Sequence, residues 1–165
     1  DVDWIRALKA FVRTLYERQI CFAGFCFGHQ MLAEALGGKV EKAPSGWNVG
    51  AHAFEMVQRE TWMIPFQDRL NVLMICQDQV LRLPEHGVVL AQTATCPVAM
   101  FRVGRHMLGI QGHPEFPKEY ERQLMESRLA RIGAAKVEAG LASLAQPLDG
   151  EMVAAWVLQF LEKQK

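Results

Sequence analysis

The sequence predicts an α/β fold, a doubly wound and mostly parallel sheet with helices on both faces. Three observations predict it. A helical pattern leads into a short apolar run and a second helix, the middle of the chain is a succession of strand candidates, and the last third returns to helical spacing. Half of the 165 residues are hydrophobic and 22% are charged, a globular rather than disordered composition. A chain of this length buries roughly 70% of its unfolded surface, so residues 1–165 are read as one domain with an ordinary core.

Residues 3–17 place Trp4, Ile5, Leu8, Phe11, Val12 and Leu15 on one helical face, with Arg6, Lys9 and Arg13 elsewhere. Residues 20–25 have the length and apolarity of a buried strand. Helix 30–36 follows and is stopped by Gly37 and Gly38. Strands are expected over 49–57, 71–76, 88–94, 98–103 and 107–111, with turns at Gly87 and Gly104. Helical periodicity resumes over 117–132 and 151–162, and more weakly over 134–144. A doubly wound domain ordinarily opens on a strand, whereas this chain opens on a helix, so one or two N-terminal strands are expected to be missing.

Lys plus Arg and Asp plus Glu number 18 each, so no net charge draws the chain to nucleic acid or to an anionic membrane. A small molecule or a protein partner suits it better. Cys21, Cys26, Cys76 and Cys96 form no CxxC pair, and a chain with a full core has little need of disulfides, so reduced thiols and a cytoplasmic location are expected. No apolar run reaches the roughly 20 residues of a membrane span. The cysteines and histidines lack metal-ligand spacing, and no glycine loop for phosphate is present, so neither metal nor other cofactor is expected.

The segment Ala23-Gly24-Phe25-Cys26-Phe27-Gly28-His29-Gln30 sets a cysteine between glycines at a strand-to-helix junction. This is the nucleophile-elbow arrangement with Cys in place of Ser. A tight, strained turn leaves no room for side chains two residues to either side, which Gly24 and Gly28 satisfy. The helix that follows directs its first N–H groups at Cys26, which favours thiolate, and the Phe27 N–H is placed to donate to an oxyanion. The other three cysteines read as small buried hydrophobes.

A thiol nucleophile needs a base, and the base an orienting group. His29 should point away from Cys26, His52 falls in a strand, and His86 and His106 flank turns as surface residues. His113 lies in Gln111-Gly112-His113-Pro114-Glu115-Phe116, just beyond a strand. Residues two apart in extended chain project to one side, so Glu115 can orient His113 across the stiff Pro114. Cys26, His113 and Glu115 thus form a candidate catalytic triad.

These two segments resemble the signatures of class I glutamine amidotransferases, and in particular free-standing members related to the amidotransferase domain of GMP synthase. The resemblance extends through Leu36-Gly37-Gly38, Gly46-Trp47-Asn48-Val49-Gly50 and Gln77-Asp78-Gln79-Val80. It implies a flavodoxin-like sheet and hydrolysis of a γ-glutamyl amide through a thioester on Cys26. It further implies that Gln30 holds the substrate side chain, and that Ile75, Gln77 and Asp78 belong to a stretch contacting the α-amino and α-carboxylate groups largely through backbone.

Departures from the pattern are Cys76, where the family commonly has His, and Asn48, where it commonly has Glu. The family's first strands, and a loop with a second oxyanion donor, precede anything matching Asp1, so the chain is expected to be N-terminally incomplete. Glutamine or a γ-glutamyl compound is the implied substrate, and a separate synthetase subunit the implied partner for released ammonia. A γ-glutamyl peptidase acting on glutathione-like compounds would use the same triad, with Trp47, Phe54 and Trp62 either lining its leaving-group site or lying in the core. A non-catalytic regulatory relative is the third reading.

Overall fold

The computed structural model describes residues 2–163. Helix α1 spans Asp3–Glu17, strand β1 Phe22–Phe25 and helix α2 Phe27–Ala35. Seven strands follow: β2 Lys39–Lys42, β3 Asn48–Met56, β4 Arg69–Cys76, β5 Asp78–Arg82, β6 Gly87–Thr93, β7 Cys96–Val103 and β8 Met107–Ile110. The described chain closes on helices α3 Lys118–Ser127, α4 Leu129–Ile132, α5 Ala134–Ser143 and α6 Gly150–Glu162. Among the described residues no helix is long and apolar enough to cross a membrane.

The α/β class stands, but the sheet is not mostly parallel. Six strands are ordered β1-β8-β7-β6-β3-β4, and only the β1–β8 pair is parallel. The reason is connectivity. Ala94 and Thr95 join β6 to β7, and Gly104 begins the turn from β7 to β8, and strands linked by such short turns can only run antiparallel. Strands β1 and β8 are far apart in sequence and free of that constraint. A small antiparallel pair, β2–β5, stands apart from the main sheet.

Helices cover both faces, as the sequence predicts. In β4, Leu70, Val72, Met74 and Cys76 pack with Trp156 and Phe160 of α6, while the alternate residues Leu73 and Ile75 pack with Met125 of α3 and Val137 of α5. At the other end of the sheet Phe101, Val103 and Met107 meet Val12 of α1 and Leu32 of α2. Trp156 and Phe160 are wholly buried, and the Trp156 indole N–H donates to Pro65 O at 3.0 Å. Phe54 and Trp62 lie in this same core.

The helical pattern over 117–132 is broken at Arg128, whose φ of −109° departs from the helix. Ser127 Oγ donates to Leu124 O at 3.0 Å, a local bond that competes with helix continuation.

Candidate active site

Strand β1 delivers Cys26 onto a strained turn with φ 45°, in the left-handed region that few non-glycine residues occupy. A Cβ on Gly24 would lie 2.5 Å from Gly28 C and 2.7 Å from Phe22 Cε1, so the elbow needs glycine there. Gly28 differs from expectation: a Cβ on it would meet only Phe22 Cζ, at 3.9 Å. The steric demand is one-sided, with Gly24 making room for the Gly28 backbone. The Cys26 N–H donates to Ile110 O at 2.8 Å and Cys26 O accepts from Gln30 N at 3.1 Å, which fixes the turn between β8 and α2.

Because β1 and β8 run parallel in the register Phe25↔Ile110, both end at the same sheet edge. Cys26 follows one and Gln111 the other. Beyond Gln111 the loop crosses tightly over β4. A Cβ on Gly112 would lie 2.7 Å from Val72 Cγ1, and His113 N donates to Leu73 O at 2.7 Å. His113 Nδ1 lies 2.8 Å from Glu115 Oε1. A carboxylate only accepts, so Nδ1 carries the proton, and in the neutral imidazole this leaves Nε2 with its lone pair. Phe116 stacks on the His113 ring at 3.9 Å between centroids and an interplanar angle of 11°. The His113–Glu115 pair expected from the spacing is therefore formed.

Gln30 Nε2 donates to Asp78 O at 2.8 Å and to Gln111 Oε1 at 3.3 Å, and Gln111 Nε2 lies 3.6 Å from Cys26 Sγ. The structure thus gathers Gln30, Asp78 and Cys26, and adds fully buried Gln111, to which the sequence reading gave no role. The visible signal was its place in the Gln-Gly-His-Pro-Glu segment. Asp78 is held over α2 by the β2–β5 pair, itself tied to α2 where Val40 N donates to Glu34 Oε1 at 2.9 Å. Gln77 points its carbonyl away to Ala43 N, and the Ile75 side chain is buried in the core. Of this stretch, Asp78 is the residue that bonds directly to Gln30.

Electrostatics at Cys26 run against the expected thiolate. Burial pushes the thiol up to about 11, the Glu115 carboxylate adds to the rise, and the Phe27 N–H and Gln111 amide offset only part of it. Burial also drives the Cys76 thiol upward, with Cys26 as the next contributor. Asn48, at the position of a family Glu, is buried and accepts a short hydrogen bond from Thr95 Oγ1, so it ties β3 to the β6–β7 turn. His29 points away from Cys26, with its ring edge-on to Phe101 at 4.9 Å. His106 is not simply a surface residue: it stacks on Tyr16, and its Nε2 donates to Tyr16 O at 3.1 Å. A cavity of about 230 Å³ adjoins the loop, lined by His113, Phe116, Asn71 and Leu148 among others.

The class I glutamine amidotransferase family model matches residues 4–131. The chain is 37% identical over 124 residues to gamma-glutamyl peptidase 5 of Arabidopsis thaliana, an alignment covering 72% of this chain and 49% of that protein. It is 35% identical over 112 residues to a glutamine-hydrolyzing GMP synthase of Aeropyrum pernix, covering 67% of this chain and 22% of the other. The chain therefore spans about half the length of the peptidase and less of the synthase. In fold it is similar to a glutamine amido transferase from Methylobacillus flagellatus, with a TM-score of 0.75 and 19% identity over 99% of this chain and 69% of that one. A glutamine amidotransferase from Thermotoga maritima gives a TM-score of 0.73 at 22% identity, over 96% of this chain and 67% of the other. With the elbow, the His-Pro-Glu loop and the family match in agreement, the chain belongs to the class I glutamine amidotransferase family.

Proposed function

We propose that this chain carries the hydrolytic site for a γ-glutamyl amide, with Cys26 as nucleophile, His113 as acid and base, and Glu115 orienting His113. The observation that carries the reading is the placement of the strained Cys26 turn and the His113–Glu115 pair beyond the ends of adjacent parallel strands. His113 Nε2 takes the Cys26 proton and the sulfur attacks the γ-carbonyl carbon. The carbonyl oxygen becomes an oxyanion facing the Phe27 N–H. As the oxyanion collapses, the C–N bond breaks and the His113 imidazolium gives its proton to the departing nitrogen, leaving a γ-glutamyl thioester. Water, deprotonated by His113, attacks the thioester and the C–S bond breaks. The His113 imidazolium returns its proton to the Cys26 sulfur, and the product leaves with a γ-carboxylate.

The raised Cys26 thiol suits this sequence, because a protonated resting nucleophile makes proton transfer to neutral His113 part of the attack rather than a prior step. Gln30 and the backbone near Asp78 hold the glutamyl portion. With glutamine as substrate the products are glutamate and ammonia, which a separate synthetase subunit would consume in a cytoplasmic setting. The cavity beside His113 favours a second reading, in which a γ-glutamyl peptide is cleaved and the larger amine departs into that space.

Glutamate release from glutamine and from a γ-glutamyl dipeptide, each beside a Cys26→Ala control, tests the proposal. Release that vanishes in the control supports it, and the preferred substrate separates the two readings. Turnover of neither substrate would count against hydrolysis at this site.

A further inference from the structure

The hydrogen bonds around Gln111 have a direction that can be read from one end. Asp78 O is a backbone carbonyl and can only accept, so the Gln30 amide must present its nitrogen there, as it does at 2.8 Å. That nitrogen also faces Gln111, which must present its oxygen in return, at 3.3 Å. Fixing that oxygen fixes the other arm: Gln111 Nε2 is turned to Cys26 Sγ at 3.6 Å. Gln111 is fully buried, and its backbone N–H is held by Ala99 O at 2.8 Å. No rotation of one amide is free of the other. The donor aimed at the sulfur is thus set by a carbonyl on a different strand, through two glutamine side chains.

We propose that Gln111 is a positioning residue for the nucleophile, holding the Cys26 sulfur as a hydrogen-bond acceptor in an orientation imposed by Gln30. A neutral thiol has a proton to donate and gains little from a facing N–H, whereas a thiolate is an acceptor only and gains a charge-assisted bond. The relay therefore favours the form of Cys26 that attacks, against the burial that opposes it. It also joins the residue implied to hold substrate to the reacting atom. Gln30 drawn toward a bound γ-glutamyl group would loosen its hold on Gln111 and alter the bond to sulfur. This inference rests on reading Cys26 as the nucleophile.

The test titrates Cys26 in the free protein, so it does not depend on turnover. Thiolate absorbance is followed against pH for the wild type, Gln111→Met and Gln30→Met, each with its Cys26→Ala counterpart subtracted. Met fills similar volume with neither donor nor strong acceptor. Gln111→Met is expected to move the titration midpoint up by about one unit, leaving about tenfold less thiolate at neutral pH. Gln30→Met, which leaves Gln111 in place but unoriented, is expected to move it the same way by less. Either variant leaving the midpoint unmoved, or lowering it, overturns the proposal, and Gln30→Met keeps the test open if Gln111→Met does not fold. Absence of hydrolytic activity in the wild type alongside these shifts would reject the functional reading while leaving the relay intact.

Discussion

The Glu121 carboxylate accepts the backbone N–H of Gly50 at 3.1 Å from inside the packing of α3 against β3, and its second oxygen has no hydrogen-bond partner among the described residues. Burial raises this carboxyl to about 7, with the Gly50 N–H and Arg128 opposing the rise. Burial has the reverse effect on His29, a base, and lowers it to about 4, against the backbone at Gly109 and Val98. Both residues are fully buried.

These two groups oppose each other in one pH window. Glu121 binds its proton more tightly in the folded chain, so its stabilisation is full below about 4.5 and is lost as pH rises toward about 7. His29 binds its proton less tightly when folded, so its contribution is full above about 6.5 and is lost as pH falls toward about 4. Each is worth at most about 3 kcal/mol across its window. The Glu121 and His29 contributions are therefore expected nearly to cancel from pH 4.5 to 6.5. Glu121→Gln should fall on acidification, and His29→Gln should rise. Urea midpoints at several pH values check this, and equal slopes in the two variants would contradict it.

Glu115 has opposite effects on the resting thiol and on turnover. Its charge helps hold the Cys26 thiol up, so Glu115→Gln should speed alkylation of the free protein. The same change takes the acceptor charge from His113 Nδ1 and should slow hydrolysis by about 10²–10⁴-fold. Alkylation by iodoacetamide and glutamate release, measured on one preparation, would show both.

The two elbow glycines should respond differently to alanine. At Gly24 a methyl meets the Gly28 backbone at 2.5 Å, and a cost of about 1–3 kcal/mol or more is expected. At Gly28, inside α2 with open space around it, alanine should stabilise by about 0.5–1 kcal/mol. Thermal unfolding of the two variants, run side by side, decides the point, and matching losses would contradict the one-sided elbow.

Trp156 anchors α6 to the sheet. Trp156→Ala should cost about 3–5 kcal/mol, while Leu158→Ala, at an exposed position of the same helix, should stay within about 0.5 kcal/mol. Denaturant midpoints test both.

Much of the site was legible because its parts are local. The Cys26 elbow and the His113–Glu115 pair each sit within a few residues, and local steric and hydrogen-bond rules reach that far. Helices α1 and α6 were legible from their amphipathic or apolar spacing. Strands β2 and β5 were not: Lys39–Lys42 is short and mostly exposed, so it carries no alternation to read. Strand direction was misjudged because apolar runs report burial and not polarity, which the turns decide. Gln111 was missed for another reason, its partners Gln30 and Cys26 being 81 and 85 residues away. Glu121, at a polar helix position, gave no sign of burial until the packing of α3 on β3 was seen.

The central claim is that Cys26 forms a covalent γ-glutamyl intermediate. Mass spectrometry of the acid-quenched protein, taken during turnover of a γ-glutamyl anilide and mapped by peptide, tests it most directly. The account predicts a γ-glutamyl adduct on the peptide carrying Cys26, with adduct and hydrolysis both absent in Cys26→Ala. Hydrolysis that persists in Cys26→Ala, or an adduct on another residue, would contradict it.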